Sequence, residues 1–317
     1  MVSVVTETVN WLKGSKYGYT FKDKIALFLY IGNAIIFTVF IIGIFGKARA
    51  ADIYFKRTYL LNWIPLKSVL VKRNGIILSL PMTLDYIILV KPDWEVEELM
   101  FLRKLNLDNN NSIVIDIGSN IGIYTLILLH LYPKCKVISI EASPTIFEKL
   151  KLNCQLNSLP PGPNLVLLNK AVSDKDDSLV EFYEKHSIST LSKEFLTNIS
   201  KEIITKENEE QSKTMVRTIT IDKLVETENV NEISLMKIDV EGAEGLVLKG
   251  AIDTLNNRKV KNMIIEYHSI ENYDYAAKLL DRIGYSIVNS QRWYDEDYKS
   301  SNGREFVNGH IIACLRK

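Results

Sequence analysis

Residues 112–129, SIVIDIGSNIGIYTLILL, run from an alternating apolar stretch through a short polar turn into a second, longer apolar stretch. The first part reads as a buried strand, the last as a helix, and the turn between them is Asp116-Ile117-Gly118-Ser119-Asn120-Ile121-Gly122. In an open parallel sheet the first strand-to-helix turn is the usual ligand site, beyond the carboxyl ends of the strands. Gly118 and Gly122 let the backbone bend and approach a ligand, and the helix that follows presents unpaired N–H groups. The dinucleotide pattern G-x-G-x-x-G is absent because Asn120 stands where its second glycine would be. Pyrophosphate is therefore disfavoured, and an NAD-dependent oxidoreductase is the poorer reading. An acid at the strand end instead suits a ligand carrying a cationic amine or hydroxyls.

Working outward, apolar runs alternate with helix-length segments from about residue 95: CKVISIEA, NLVLLNKAV, SLMKIDV and NMIIEYH follow the first strand. Runs this rich in Val, Ile and Leu are strands buried on both faces, hence a parallel sheet wrapped by helices. ENYDYAAKLLDRIGYSIVNS then reads as helix, glycine stop and strand, and FVNGHIIACLRK as a final strand. The expected fold is α/β and doubly wound, with a mostly parallel seven-stranded sheet over residues 95–317. Glu141 closes the second strand 25 residues after Asp116. A carboxylate there can accept two hydrogen bonds from a ribose diol, so two acids flanking one glycine turn outline a nucleoside pocket.

With these residues in place, the sequence resembles the class I S-adenosylmethionine-dependent methyltransferases: VIDIGSNIG looks like their first motif and VISIEAS like their ribose-binding strand. The resemblance implies a Rossmann-like methyltransferase fold. It also implies that Asp116, Gly118, Asn120 and Gly122 surround the methionine part of the cofactor. Glu141 would hold the ribose, Ala142 and Ser143 would border the adenosine, and Ala171, Val172 and Asp174 would lie near the adenine. ISLMKIDVEGAEGLVLKGA followed by IIEYH is similar to the FkbM family, in which a D-V-E-G-x-E segment follows the fourth strand and E-x-H ends the fifth. The likeness extends over about residues 68–316. It implies methyl transfer to oxygen, on a sugar, glycolipid, secondary metabolite or lipid-linked acceptor.

Methyl transfer from a sulfonium is an in-line displacement, so acceptor oxygen, methyl and sulfur must be aligned and water kept out. An alcohol needs a base within hydrogen-bond reach. Asp239, Glu241, Glu244, Glu266 and His268 are the polar residues at the two strand ends beside the cofactor turn. Asp239 or His268 is expected to accept the proton, with Glu241 and Glu244 orienting the substrate or the histidine. The competing reading makes Glu241 and Glu244 helix-terminal acids and pairs Lys237 with a neighbouring carboxylate. By likeness to catechol-type O-methyltransferases, Asp239 is also a position for a divalent cation. The sequence shows no complete ligand set, and the metal stays unassigned.

The rest of the chain frames this unit. Of its 317 residues 47% are hydrophobic and 24% charged, and the net charge of +1 offers no general attraction for nucleic acid. Cys135, Cys154 and Cys314 lack metal-ligand spacing and read as small core residues of a reducing compartment. After an N-terminal segment of 1–24, residues 25–46 carry no charge over 22 positions, about 33 Å as a helix, enough to cross a bilayer. The expectation is a retained single-pass membrane anchor, with the catalytic part facing the cytoplasm because the methyl donor is cytosolic; a buried apolar helix is the alternative. Residues 47–94 are expected to hold a connecting helix and a small β-hairpin turning at Asn74-Gly75. The charged stretch 184–214 reads as solvated helix or loop, a substrate lid being the sharper option. A function of a different class, a non-catalytic methyltransferase-like membrane adaptor, is opposed by the intact DIGSNIG and KIDVEGAE segments.

Overall fold

The computed structural model describes residues 68–73, 76–81, 95–185, 188–190, 212–293 and 308–316. They belong to two units, one containing the hairpin and the other beginning at Glu95. In the first, β1 (Ser68–Arg73) pairs antiparallel with β2 (Ile76–Pro81), Arg73 facing Ile76. Period-two alternation buries Ile76, Leu78 and Leu80 on one face of β2. The expected Asn74-Gly75 turn, the expected connecting helix and the 25–46 run lie outside the described residues. Among the described residues no helix is long and apolar enough to cross a membrane.

The second unit opens with α1 (Val96–Lys104) and then builds the sheet: β3 (Ile113–Ile117), β4 (Lys136–Ile140), β5 (Leu165–Leu168), β10 (Leu235–Ile238), β11 (Asn262–Tyr267), β12 (Tyr285–Trp293) and β13 (Asn308–Leu315). The order across it is β12-β13-β11-β10-β3-β4-β5. The five strands from β11 to β5 are parallel, and β13 and β12 close one edge antiparallel. This is the doubly wound, mostly parallel seven-stranded sheet that the apolar runs imply. Residues such as Ile115, Ile117, Ile138, Ile140, Met236, Ile238, Met263 and Ile265 pack into one core cluster. The chain moves outward from β3 to β5, then returns to the other side of β3 to start β10. The switch point therefore falls between β3 and β10, where a crevice at the carboxyl ends is expected.

Helices α2 (Ile123–Leu131) and α3 (Pro144–Leu156) follow β3 and β4, and α4 (Ile221–Thr227), α5 (Glu244–Lys249), α6 (Ile252–Asn256) and α7 (Ile270–Arg282) serve the second half. α7 stops at Gly284, whose φ of +91° turns the chain into β12. Cys135 and Cys154 are buried, and all three cysteines are free thiols.

The third apolar run does not make one strand. It breaks after Leu168, where Asn169 Nδ2 donates to the carbonyls of Glu141 and Ala142, and β6 (Ala171–Val172) leaves for another sheet. That sheet has the order β6-β9-β7-β8, with β7 (Leu179–Lys185), β8 (Ile188–Thr190) and β9 (Ser212–Ile219). The expectation of solvated helix or loop for 184–214 is thus corrected at both ends, which are strand. Alternation puts Val180 and Phe182 on one face, packed with Ala171 and Val216, while Glu181, Lys213 and Arg217 stand on the other. Residues 191–211 lie outside the described residues.

One close contact locks the switch point. Gly118 has φ +74°, and a Cβ there would lie 1.7 Å from the Asp239 carbonyl oxygen. Gly118→Ala is expected to lower the unfolding free energy by about 2 kcal/mol or more, read from the urea midpoint. A variant as stable as the wild type would show that the two strand ends do not meet this closely.

Candidate active site

The register of the sheet sets out the site. Ser139, Asp116, Lys237 and Ile264 lie side by side across β4, β3, β10 and β11. Two residues further on, beyond or near the strand ends, the same side of the sheet carries Glu141, Gly118, Asp239 and Glu266. The result is a row of three carboxylates with a glycine gap.

Glu141 is anchored by the turn it faces. Gly118 and Ser119 N–H both donate to the Ile140 carbonyl, and Ser119 Oγ donates to the Asp116 carbonyl while accepting from Ile140 N–H. Asn120, held at φ +50°, then points its N–H at Glu141 Oε2 at 2.8 Å, and Ser143 N–H reaches Oε1 at 2.8 Å. Each oxygen keeps a second acceptor site. Burial lifts the Glu141 carboxyl to about 7 despite these two donors. Ser143 itself caps α3, its side chain accepting from Ile146 N–H.

Gly118, Asn120, Glu141, Ala142, Ala171 and Val172 line an open cleft with about 630 Å³ of empty space. Asp239, Val240, Glu241 and Ala243 supply the wall from the β10 end, and Ile117, Ile140, Ile146, Lys170 and Phe182 complete it. Apolar side chains beside a carboxylate with free acceptor capacity fit a nucleoside, which has a flat apolar base and a hydroxylated sugar. Gly122 sits at the start of α2 against Leu150, and neither it nor Ser143 or Asp174 is in the wall.

Asp116 is also outside the wall, a correction to the expectation that it grips the ligand together with Glu141. It lies on the same side of the sheet as Glu141 but two residues deeper along the strand, beneath α2, where Thr125 Oγ1 donates to its Oδ2 at 2.6 Å and its burial is complete. That burial raises its pKa against the opposing pull of Lys237 and Thr125. Asp116 supports the turn from beneath.

At the other end of the row a second polar group forms. Lys237 Nζ donates to Asp239 Oδ2 at 2.9 Å and stands 4.4 Å from the centre of the Tyr124 ring. Tyr124 donates its hydroxyl to Glu95, the residue preceding α1. Burial alone would raise the Asp239 pKa, but Lys237, His268 and a hydrogen bond from Glu266 lower it, so Asp239 is a carboxylate. Glu266 moves the opposite way, through burial and then the charge of Asp239. Burial and mutual charge thus push the two neighbouring acids in opposite directions.

His268 is only 4% exposed and clamped from three sides. Its Nδ1 lies 2.7 Å from Glu244 Oε1, and its Nε2 lies 3.3 Å from Glu241 and 3.7 Å from Glu266. Glu244, wholly buried at the start of α5, also accepts from Gly242 N–H and from Asn272. Burial disfavours the imidazolium, yet Glu241 and Glu244, with Glu266, outweigh it and raise the His268 pKa well above its ordinary value. Glu241 is itself lifted to about 7, burial prevailing over the attraction of His268.

Asp239, Glu266 and His268 each offer one ligand atom within 4.8 Å of the others, a donor set suited in type to a divalent cation. No metal is assigned to this set. Phe182, Glu95 and Tyr124 have no part in the sequence reading of the site. Phe182 was legible only as an apolar residue alternating with charged ones, and Glu95 precedes every motif.

The family described as Methyltransferase FkbM domain matches residues 116–287. "Methyltransferase 1" of Beauveria bassiana (strain ARSEF 2860) is 26% identical over 239 residues, 70% of this chain and 94% of that protein. "Hexuronic acid methyltransferase AglP" of Haloferax volcanii is 28% identical over 188 residues, 58% of this chain and 67% of that one. Among solved structures, M. jannaschii TYW2 in complex with AdoMet aligns with a TM-score of 0.38 at 14% identity, covering 79% of this chain and 87% of that one.

The clamp on His268 has a testable sign. A raised folded-state pKa contributes stability that is complete below the unfolded value near 6.5 and is lost as pH rises through the folded value. Glu244→Ala removes a partner of that buried cation and should cost about 3 kcal/mol at pH 7, the deficit narrowing as the pH becomes alkaline. Urea midpoints of both proteins across pH 6.5–10 measure it; a deficit that grows with pH would reject an imidazolium at this position.

Proposed function

Because this chain belongs to the FkbM family of methyltransferases, we propose that it transfers a methyl group from S-adenosylmethionine to oxygen, on a hydroxyl of a sugar, glycolipid or other small metabolite. The observation that carries this reading is the strand-end row, in which a nucleoside-type wall at Glu141 and an ionised acid at Asp239 flank Gly118. S-adenosylmethionine, when bound, supplies a methyl group on a sulfonium, an electrophile that needs no further activation. Glu141 would accept the ribose hydroxyls, with Gly118 and Asn120 along the remainder of the donor. Ala142, Ala171, Val172 and Phe182 would enclose the base.

Asp239 would take the acceptor proton. Its carboxylate accepts from Lys237 and from Glu266, and its remaining lone pairs would receive the incoming hydroxyl. A carboxylate of low pKa is a modest base, and it suffices where the proton leaves as the bond to carbon forms. His268 is not suited to that task, since its Nδ1 is committed to Glu244 and the ring is held protonated. Its role is to position Glu241 and the Asp239–Glu266 pair. The relative named for hexuronic acid supports a sugar acceptor in kind. The uncharged run at 25–46 supports a membrane anchor, with the methyltransferase unit on the cytoplasmic side.

Two variants separate binding from chemistry. Asp239→Asn should bind the donor within a few-fold of wild type and lose about 10²-fold or more in turnover, measured by calorimetry and by labelled-methyl transfer. Glu141→Ala should weaken donor binding by about 10-fold or more. In the wild type, hydroxyl donors to Glu141 favour its ionised form, so donor affinity should rise with pH through about 7 and be flat in Glu141→Ala. Unchanged turnover in Asp239→Asn would remove Asp239 from the mechanism.

A further inference from the structure

The acid that stays ionised, Asp239, is served by an ammonium on which several carboxyls have a claim. Lys237 is 4% exposed, and its one hydrogen bond among the described residues goes to Asp239. Asp116 stands next to it in register on β3, and Glu266 lies near the end of β11, the strand on its other side. Burial works against the ammonium, and Asp239, Asp116, Glu95 and Glu266 together outweigh it. A lysine ammonium is a point charge on a flexible four-carbon stem and selects no direction by itself. A further contact must hold it on Asp239. The Tyr124 ring makes that contact: its centre lies 4.4 Å from Nζ, within the distance at which an aromatic face attracts a cation.

Tyr124 is itself held. It is buried in the first turn of α2, two residues after Gly122, and donates its hydroxyl to Glu95. Glu95 has φ +46° and ψ +43°, a left-handed conformation that persists at a non-glycine residue only where the surroundings over-determine it. They do so here: Glu98 Oε1 lies 2.5 Å from Nδ1 of the buried His310 on β13, and Glu97 accepts from Asn289 on β12. Resting on the methyl transfer proposed above, we infer that Tyr124 and Glu95 are positioning residues of that reaction, the ring keeping the Lys237 ammonium on Asp239 and Glu95 keeping the ring in place. Both act through Lys237 and not on the reacting atoms. Because Tyr124 directly follows the glycine turn, the base is aligned from the same segment that lines the donor cleft, as an in-line displacement requires.

The test titrates the full chain, its aspartate side-chain carboxyls labelled with carbon-13, and follows the resonance that is missing from Asp239→Asn. The groups that act on Asp239, namely Lys237, Glu266, His268, Glu241, Glu95, Asp116 and Glu141, are all retained when only residue 124 is replaced. In the wild type Asp239 should remain ionised down to about pH 5, since Lys237 and His268 hold its pKa low against burial. In Tyr124→Leu the ammonium can turn to Asp116 or Glu266, burial prevails, and Asp239 should titrate about two pH units or more higher. Tyr124→Phe keeps the ring and should titrate close to the wild type. Ring-fluorinated phenylalanines at that position, nearly isosteric but with a weakened face, should raise the titration stepwise, and they decide the matter if Tyr124→Leu does not fold. Label from methyl-labelled S-adenosylmethionine is also followed into a glycan and metabolite extract from cells lacking the protein. In Tyr124→Leu its transfer should fall about 10-fold between pH 8 and pH 5, beyond any change in the wild type. Glu95→Ala and Tyr124→Phe should each slow transfer about 3-fold and the double variant no more than either, as for two residues acting through one contact. An Asp239 titration unmoved by loss or fluorination of the ring overturns the inference, makes Tyr124 a packing residue and leaves the methyl transfer standing. A raised titration that transfer does not follow brings down Asp239 as the base, the reading beneath the inference, and leaves the contact from ring to ammonium in place.

Discussion

The site depends on how closely two strand ends approach at the switch point. Gly118 and the Asp239 carbonyl come so near that no side chain fits between them. That proximity turns four strand ends into a continuous edge, with Glu141 on one side of the gap and Asp239 and Glu266 on the other. A glycine gap flanked by acids is what a ligand needs to lie along the edge while its polar groups are received at both ends. The left-handed conformations of Gly118, Asn120 and Gly122 are the local cost of that approach, about 1–3 kcal/mol at a non-glycine position. The core beneath over-determines them: β3 is paired on both sides, and Ser119 ties the turn to β4.

The second feature is how charge is contained. Six acids, Glu95, Asp116, Asp239, Glu241, Glu244 and Glu266, surround Lys237 and His268 in a mostly buried region. Full ionisation of all of them would be prohibitive. The arrangement resolves this by sorting the groups. Asp239 remains charged beside Lys237, while Glu266 and Glu95 are pushed up, Glu95 to about 8. His268 holds a proton because Glu241 and Glu244 converge on it. Opposite shifts in adjacent acids favour different protonation of the two carboxyls, a division of labour that burial and the position of Lys237 produce.

Much of this was legible in particular residues. The run SIVIDIG followed by a glycine turn marks β3 and its crevice, since uninterrupted Val and Ile can only be buried on both faces. Glu141 was legible as the acid ending the next strand, and Asp239 as the acid ending the fourth. The role of Asp116 was not. It belongs to the same motif and faces the same side of the sheet as Gly118, but it lies two residues deeper, and only the packing of α2 over it, with Thr125 on its carboxylate, shows that it is covered. The strand character of the edges of 184–214 was hidden for a related reason. Charged residues dominate the composition there, while the apolar residues that pack inward, Val180, Phe182 and Val216, lie just outside it.

The amino-acid sequence by itself determined the α/β architecture, the seven strands and the positions of the acids at strand ends. These follow from local periodicity and from the turn chemistry of glycine, which neighbouring residues decide among themselves. Tertiary structure decided which of those acids share a cleft and which of them hold a proton. Lys237 neighbours Asp239 in the chain, but His268 and Glu266 come from the end of a separate strand. Their effect on Asp239 falls off with distance and depends on exclusion of water, so it exists only once β3, β10 and β11 are in register and α1 and α2 cover them.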